Sequence, residues 1–397
     1  EGPASPSSPN DAPVSPSKLQ KSGSGGVLGM LKQKVGSSKA APSYRSDAAR
    51  PRRRSSAVVH MEKSKEAYEK ATRGARRLSA IGFQEIKPED LVLGEKIGEG
   101  AMGLVQEGTH KGVPVAIKTF KGRAGSMVVD RNSDFGRDLI QELDVLFSVG
   151  YHPSIVGFYG AVTLSKPMLV LELVKGPTLD EFLHGKEGSQ GKVDFSPHIN
   201  TVCGWSRDLL SGINFMHDRD PCIIHRDLKP ANLILAAELS TLKILDFGVG
   251  KMVSKKDRLT RQMTSCTGTN RYMAPEVYFS DGNYTEKADI YSAALIMWEI
   301  ATGRRPFDGA GEVWNLNQQA TREVMRPSIA SITSWPEVGP LIEKAWLKEP
   351  DARPSAKELI EMLDATPNAP PPGTEASPIA YLSPDFLNSP QCQCAVM

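Results

Sequence analysis

Short apolar runs, separated by polar residues and glycines, fill the first third of the segment 90–364 and predict β-strands. The runs are LVLGEKI (91–97), GLVQEGTH (103–110), VPVAIKTF (113–120), IVGFYGAV (155–162) and MLVLELV (168–174). One segment with helical character, around residues 137–149, separates the third run from the fourth. The pattern therefore predicts a small sheet-rich lobe that contains one helix.

The rest of this segment has the apolar spacing of helices. In residues 198–217 apolar side chains recur every three or four positions, which predicts an amphipathic helix with one buried face. The stretch ADIYSAALIMWEIA (288–301) is apolar nearly all round and should form a buried central helix. We therefore expect a larger, mainly helical lobe after the sheet-rich one.

The two ends of the chain lack these patterns. Residues 1–57 contain 13 Ser, 7 Pro and 6 Gly, so residues 1–60 are predicted to be disordered because they cannot bury enough apolar area. Residues 61–86 have the composition of a basic helical extension, although Gly74 weakens that prediction. The Pro- and Ser-rich residues 365–397 are predicted to form a second disordered tail.

Composition and charge narrow the class of protein. The chain has 397 residues, of which 40% are apolar and 24% charged, so a fibrous or wholly disordered protein is excluded. The apolar runs are too short for a transmembrane helix, and five scattered cysteines make no disulfide framework, so we expect a cytoplasmic location.

The charge is divided unevenly along the chain. Residues 1–86 hold 16 Lys and Arg against 7 Asp and Glu, a net +9, and the remainder holds 32 against 39, a net −7. This distribution argues against nucleic acid as a partner, and it suggests that the basic tail meets an anionic surface or is phosphorylated.

A glycine-rich loop lies between the first two predicted strands. Gly98, Gly100 and Gly103, followed by Val105, form a G-x-G-x-x-G-x-V run. Glycines there let backbone N–H groups approach phosphate oxygens. A dinucleotide-binding turn or a plain hairpin would give the same glycines, but a dinucleotide turn opens a helix, and here a strand follows.

A lysine on the third predicted strand is also placed to bind phosphate oxygens near the glycine-rich loop. Lys118 ends the run VAIK, on the strand that follows Gly103 and Val105, and alternation places it on the same face as Ala116. Such an ammonium needs a carboxylate partner, and Glu142 in the predicted helix is the candidate. A strand lysine exposed to solvent is the alternative.

Three further short sequence motifs follow along the chain. HRDLKPAN (225–232) follows two isoleucines, Asp246-Phe247-Gly248 follows a strand-like run, and Ala274-Pro275-Glu276 closes the segment that begins at Asp246. Their order and spacing resemble the protein kinase motif set, so residues 90–364 resemble a eukaryotic protein kinase domain. The likeness is strongest to serine/threonine kinases of the tyrosine-kinase-like group, which includes the Raf and mixed-lineage kinases.

The resemblance implies an α+β fold of two lobes, with flanking disordered tails. The N-lobe, residues 90–173, would hold a small antiparallel sheet and one key helix, and the C-lobe, residues 176–364, would be mainly helical. The implied cofactors are ATP and Mg²⁺, and the implied partners are protein substrates. Glu276 would form a structural ion pair with Arg353.

The resemblance also implies a role for each motif residue. Lys118 would bind the α- and β-phosphates, held by Glu142. Asp246 and Asn232 would bind Mg²⁺. Asp227 would orient the substrate hydroxyl and accept its proton, and Lys229 would neutralise the migrating phosphoryl group. The expected ATP-binding residues are Ile97, Gly98, Gly100, Gly103, Val105, Ala116, Lys118, Leu171 at the gatekeeper position, Glu172 at the hinge (172–174) and Leu233.

Substrate choice and activation follow from the same resemblance. Lys229 and Thr269 favour Ser/Thr specificity over a dual-specificity or tyrosine kinase. Arg226 beside Asp227 implies a pocket for a phosphate, and Thr264 and Thr267 are the best placed acceptors for an upstream kinase. A constitutively ordered loop, a pseudokinase scaffold and a membrane-tethered adaptor are the alternatives.

The tails carry candidate modification sites. Ser55, Ser56 and Ser79 lie beside arginines and suit basophilic kinases, and Ser-Pro pairs occur at Ser5, Ser8, Ser15, Ser377, Ser383 and Ser389. The last four residues, CAVM, form a C-a-a-X box at Cys394, and Cys392 is a candidate palmitoyl acceptor. One lipid binds membranes weakly, so the basic tail would supply a second signal for peripheral binding to the cytosolic face of an anionic membrane.

Overall fold

The computed structural model describes residues 62–63, 65, 85–99, 103–120, 134–163, 166–185, 197–246, 251–253, 271–279, 285–308, 325–374 and 376–377. In this part of the chain an antiparallel sheet is followed by a mainly helical lobe. The predicted two-lobed α+β architecture is confirmed.

The N-lobe is built on a five-stranded antiparallel sheet with the order β1-β2-β3-β5-β4. Its strands are β1 (Leu91–Glu99), β2 (Gly103–His110), β3 (Val113–Phe120), β4 (Phe158–Val162) and β5 (Met168–Glu172). Helix α1 (Asp134–Val149) connects β3 to the second half of the sheet. Turn residues Lys111 and Gly112, both with positive φ, join β2 to β3 directly.

The two faces of the sheet bury different clusters. Val115, Ile117 and Val170 alternate along β3 and β5 and pack with Ile86 on the outer face. On the inner face Phe120 and Leu169 pack against α1 and belong to the core that continues into the C-lobe. The inner face of β3 therefore faces the C-lobe side of the sheet.

The chain before β1 runs along the edge of the sheet. Ile86 N–H donates to Ala161 O at 2.7 Å, and the Glu85 carboxylate accepts from both Thr163 N–H and Thr163 Oγ1. The prediction of a helix throughout 61–86 is therefore wrong at its end, because Glu85 and Ile86 gain sheet bonds and Ile86 a buried apolar site. Glu62, Lys63 and Lys65 are helical, and the rest of the predicted helix lies outside the described residues.

In the described residues of the C-lobe, helices pack around a buried one. They are α2 (Leu179–His184), α3 (Ile199–His217), α4 (Pro275–Phe279), α5 (Lys287–Thr302), α6 (Gly339–Ala345) and α7 (Ala356–Asp364). All residues of α5 from Ala288 to Ala301 are buried, as its apolar sequence predicts. Capping boxes begin α2, between Thr178 and Glu181, and α7, between Ser355 and Glu358.

Two small sheets lie beside these helices and present the polar motifs. β7 (Leu233–Ala236) pairs with β8 (Thr241–Ile244), and β6 (Cys222–Ile224) pairs with β9 (Lys251–Val253). Asn232 directly precedes β7 and Asp246 lies just after the end of β8, so this hairpin fixes the spacing of the two predicted metal ligands.

The chain continues along the C-lobe after α7. Trp335 Nε1–H donates to Pro367 O at 2.8 Å, Ala376 is buried, and Ser377 Oγ–H donates to Glu238 O at 2.6 Å. The prediction of a disordered tail over 365–397 is therefore wrong for 365–374 and 376–377, because these contacts compensate for the polar composition. Among the helices of the described residues, none has the length and apolarity that crossing a bilayer requires.

Candidate functional site

Lys118 lies on the inner face of β3, at the centre of the sheet. It pairs with Val105 on β2 and with Leu169 on β5, so these three side chains share one face. Ala116, two positions earlier, is on the same face and pairs across β5 with Leu171. The strand register therefore brings together Val105, Ala116, Lys118 and Leu171, four of the residues that the resemblance implies for ATP binding.

Lys118 bridges two carboxylates from distant parts of the chain. Its Nζ lies 2.9 Å from Glu142 Oε1 on α1 and 3.0 Å from Asp246 Oδ1 after β8. Burial alone would lower the pKa of Lys118, but Glu142 and Asp246 outweigh it and raise that pKa. Burial raises the pKa of Glu142 against the opposing effect of Lys118. The predicted contact between Lys118 and Glu142 is thus present, and the lysine is held as a cation.

The other residues predicted to bind ATP differ in their exposure to solvent. Leu233 and Ala116 are buried, whereas Ile97 on β1 is 50% exposed. Gly98 pairs with Val105 near the end of β1. Gly103 begins β2, where a Cβ atom would lie 2.2 Å from Thr119 O, so only glycine fits there. Gly100 lies outside the described residues.

Glu172, predicted at the hinge, has its side chain engaged elsewhere. Both carboxylate oxygens lie 2.9 Å from Lys243 Nζ, and Oε2 also accepts from Gly157 N–H at 3.1 Å. Its own N–H donates to Gly157 O. The Glu172 side chain therefore joins the sheet to β8, and a hinge contact at this residue would involve its backbone, as the kinase resemblance implies.

The loop after β6 carries three polar side chains in contact. Lys229 Nζ lies 2.7 Å from Asp227 Oδ2. Asn232 Nδ2–H donates to Asp227 O at 2.8 Å and to Asp227 Oδ2 at 3.0 Å. Asp227 is thereby fixed by neighbours on both sides, with a cation beside its carboxylate. The resemblance implied a role for each of these residues, and their position in one short segment allows the contacts seen here.

Asn232 and Asp246 are adjacent through the β7–β8 hairpin. Leu245 N–H donates to Asn232 O at 2.8 Å, which places Asp246 beside Asn232. Since the Asn232 amide nitrogen is used toward Asp227, its amide oxygen is the atom that can bind a cation. Asp246 has φ of 51°, a left-handed conformation that aspartate tolerates. One carboxylate and one amide oxygen suit Mg²⁺, so these residues fit the predicted ion.

Asp289, which the sequence did not single out, fixes the backbone of residues 225–226 just before Asp227. Its carboxylate is buried in α5 and accepts from His225 N–H at 2.8 Å and Arg226 N–H at 2.9 Å. His217 Nε2 lies 3.0 Å from the same group. Burial would raise the pKa of Asp289, but these partners outweigh it and lower the pKa. The available signal was an acidic residue near the start of an otherwise mainly apolar helical stretch, which also contains Glu299.

Another buried ion pair lies in the C-lobe. Arg353, fully buried, makes two hydrogen bonds to the Glu276 carboxylate, at 2.6 and 2.8 Å. The predicted pair is present. Thr264, Thr267, Ser55, Ser56, Ser79, Cys392 and Cys394 lie outside the described residues, as does most of the segment 249–273.

The comparisons with known proteins agree on one protein family. A family model described as the protein kinase domain matches residues 91–363. Dual specificity protein kinase shkC of Dictyostelium discoideum is 34% identical over 285 residues, covering 71% of this chain and 53% of that protein. Mitogen-activated protein kinase kinase kinase 7 of Homo sapiens is 33% identical over 286 residues, covering 71% of this chain and 43% of that protein.

A plant protein gives a similar match. Serine/threonine-protein kinase VIK of Arabidopsis thaliana is 33% identical over 288 residues, covering 70% of this chain and 61% of that protein. The aligned region thus spans between roughly two fifths and three fifths of these curated relatives.

Proposed function

Because the chain belongs to the protein kinase family, we propose that it transfers the γ-phosphoryl group of Mg-ATP to serine and threonine hydroxyls of other proteins. The observation that carries this proposal is the position of the Lys118 ammonium, which lies within 3.0 Å of both the Glu142 and the Asp246 carboxylates. A lysine from the sheet and a carboxylate from the C-lobe converge there, as binding one polyphosphate between two lobes requires.

Each side chain has a task that its position allows. Lys118, oriented by Glu142, binds the α- and β-phosphates. Asp227 orients the substrate hydroxyl and accepts its proton, while Lys229, 2.7 Å from Asp227, stabilises charge on the transferring group. Asn232 and Asp246 hold Mg²⁺, which supplies neutralisation of phosphate charge when bound.

The nucleotide base has an apolar site on the inner face of the sheet. Ala116, Leu171 and Leu233 would contact adenine, with Ile97 and Val105 covering it from β1 and β2. The buried positions of Ala116 and Leu233 support this arrangement. Gly98, Gly100 and Gly103 would cover the phosphates with backbone N–H groups.

A radiolabelled-ATP assay on generic protein substrates, followed by phosphoamino-acid analysis, tests the activity. Asp227→Asn should lower kcat by several orders of magnitude and leave ATP affinity nearly unchanged, because Asp227 positions the hydroxyl and not the nucleotide. Asp351→Asn, an exposed carboxylate of the C-lobe, is the matched control. Full activity of Asp227→Asn would overturn the proposal.

Specificity for Ser and Thr rests on two kinds of support. Lys229 contacts Asp227, and its presence resembles the arrangement of Ser/Thr kinases. One relative is named a serine/threonine-protein kinase and another a mitogen-activated protein kinase kinase kinase. One relative is named a dual specificity kinase, so phosphotyrosine is the second outcome to measure. Phosphotyrosine as the main product would contradict the Ser/Thr assignment. A pseudokinase is disfavoured because Lys118, Asp227, Asn232 and Asp246 are all present.

Activation by phosphorylation of Thr264 or Thr267 is part of the proposal. Arg226, held through its backbone N–H by Asp289, would bind the phosphate by charge-assisted hydrogen bonds. Enzyme treated with an upstream kinase should be more active than dephosphorylated enzyme. Replacing both threonines by alanine should remove that difference, and equal activity in the two states would contradict the mechanism.

A cytosolic location with reversible membrane binding completes the proposal. The support is the C-a-a-X box at Cys394, the neighbouring Cys392 and the basic residues beside Ser55, Ser56 and Ser79. Phosphates on these serines would weaken attraction to anionic lipid. Farnesylated protein should bind anionic liposomes more tightly than a variant with all three serines changed to glutamate. Equal binding would refute the electrostatic part, and unchanged fractionation of Cys394→Ser would refute the lipid.

A further inference from the structure

Residues 366–374 and 376–377, called the C-terminal strap, are fastened to the C-lobe by polar contacts at several points. Trp335 Nε1–H donates to Pro367 O at 2.8 Å, and Asn368 Nδ2–H donates to Glu337 Oε1 at 3.2 Å. Arg207 on α3 donates to Pro370 O at 3.2 Å and pairs with Asp364. The strap therefore passes from the end of α7 across α3.

The far end of the strap depends on one close contact with α3. Ala376 is 4% exposed and belongs to the main core cluster. It lies over Gly204, where a Cβ atom would come within 2.3 Å of the Ala376 Cβ and 3.5 Å of its Cα. Glycine at position 204 in the middle of a helix costs stability, and the space it leaves is filled by Ala376.

The next residue reaches the turn between β7 and β8. Ser377 Oγ–H donates to Glu238 O at 2.6 Å. Ala237, Glu238 and Leu239 all have positive φ, of 49°, 55° and 65°, an arrangement that persists only where its surroundings hold it. Trp205 Nε1–H, beside Gly204 on α3, donates to Leu239 O at 2.9 Å. The strap thus secures a strained turn whose hairpin ends at Asn232 and Asp246.

We propose that Ser377 is a phosphorylation site for a separate proline-directed protein kinase, and that its phosphate releases the strap from α3 and from the β7–β8 turn. Pro378 follows Ser377 in the sequence, the dipeptide such kinases select. With ATP as co-substrate, the Oγ–P bond forms and the bond from phosphorus to the β–γ bridging oxygen breaks. ADP leaves, and the hydroxyl proton passes to the catalytic carboxylate of the modifying kinase.

The phosphate is incompatible with the docked contact. Ser377 is the donor to a carbonyl oxygen, whereas a phosphoserine at neutral pH offers acceptor oxygens and a charge of about −1.5 to −2. The phosphate oxygens and the Glu238 carbonyl oxygen would then both be hydrogen-bond acceptors, with no hydrogen to share between them. Because the hydroxyl is engaged in the docked state, the modifying kinase acts on the undocked state, and phosphorylation prevents return. Docking and phosphorylation therefore oppose each other.

A size swap at the contact between Gly204 and Ala376 tests this opposition. Gly204→Ala raises the helix propensity of α3 but clashes with Ala376, so the strap should undock while the helix stays folded. The initial rate of Ser377 phosphorylation in the full chain should rise by about tenfold or more, since it follows the undocked fraction. Adding Ala376→Gly restores the space and should return the rate toward that of the parent.

Mass spectrometry supplies an internal control in the same molecule. Ser383 and Ser389 are also followed by proline, and their rates should be equal in all three proteins. A parallel rise at Ser383 would show general loosening and overturn the proposal. Equal Ser377 rates in parent and Gly204→Ala, or no modification of Ser377 in either, would overturn it too.

Hydrogen–deuterium exchange tests the release itself. After treatment with the proline-directed kinase, amides in peptides covering 236–242 and 366–377 should exchange about tenfold faster or more, because docking no longer protects them. Ser377→Ala retains Ser383 and Ser389 and should show no change on the same treatment. Phosphorylated Ser377 with unchanged exchange in both peptides would refute release.

Discussion

Glu172 and Lys243 form a buried ion pair, with both carboxylate oxygens 2.9 Å from the ammonium and side-chain exposures of 7% and 1%. The pair joins the end of β5, where the two lobes connect, to β8, just before Asp246. The sheet that holds Lys118 and the strand that leads to Asp246 are therefore fixed to each other at a second point besides the contact between those two residues.

Removing one partner of this pair should lower the free energy of unfolding. Lys243→Met leaves the Glu172 carboxylate buried without its cation, so the free energy of unfolding should fall by about 3–5 kcal/mol. The double variant with Glu172→Met removes both charges and should recover most of this loss. Urea unfolding of the parent, both single variants and the double variant measures the coupling. Additive losses in the double variant would contradict a direct interaction.

Arg353 should not tolerate the similar residue lysine. Its guanidinium makes two bonds to Glu276 and donates to the carbonyls of Leu347, Lys287 and Lys348. A lysine has three donors on one atom and leaves several of these buried acceptors unpaired. Arg353→Lys should lower the unfolding free energy by about 3 kcal/mol or more. The exposed control Arg304→Lys should stay within about 0.5 kcal/mol of the parent in the same urea titration.

Glu142→Gln should weaken catalysis by releasing Lys118 toward Asp246. One charged hydrogen bond contributes about 1.5–3 kcal/mol, so kcat/KM for ATP should fall by roughly 10- to 150-fold. Steady-state kinetics with varied ATP measure this loss. Asp144→Asn is the matched control, because residues two apart on a helix face different sides. Equal losses in the two variants would show that the helix, and not the Lys118 contact, is responsible.

The sheet and the motif cluster could be predicted because their information is local. The bounds of β2 and β3 coincide with the predicted runs, since a tight turn at Lys111 and Gly112 separates two apolar strands. Asp227, Lys229 and Asn232 lie within one short loop segment, so their contact needs no long-range folding. Glu142 was predicted as the partner of Lys118 because the ammonium needs a carboxylate from the one helix of the small lobe, and the kinase resemblance implied the same pair.

Contacts between distant residues that belong to no recognised motif could not be predicted. Asp289 on α5 binds the backbone of the segment after β6, and Ser377 of the strap meets Glu238, far earlier in the chain. Composition correctly describes residues 365–377 as polar and proline-rich, but a few contacts such as that of Ala376 with Gly204 decide whether such a segment is ordered. Glu85 and Ile86 likewise gain order from the edge of β4.

Stability should depend on pH through Asp208 on α3. Its carboxylate accepts from Leu242 N–H at 2.9 Å, and burial raises its pKa to about 7. A folded-state pKa above the unfolded value of about 3.9 means that the fold binds a proton the unfolded chain releases. This contribution is complete below pH ~4 and is lost as pH rises through about 7.

Asp208→Asn keeps an oxygen for Leu242 N–H and removes the titration, which makes it the informative comparison. Between about pH 5 and 7 the unfolding free energy of the parent should fall relative to that of Asp208→Asn, by at most about 1.4 kcal/mol per pH unit. The difference should level off above pH ~7.5, where both folded and unfolded parent are ionised. Urea unfolding at half-unit pH steps measures it, and Asp218→Asn, an exposed carboxylate at the end of the same helix, should follow the parent. Curves of parent and Asp208→Asn that stay parallel from pH ~5 to 8 would show that Asp208 is already ionised in the fold at the lower pH.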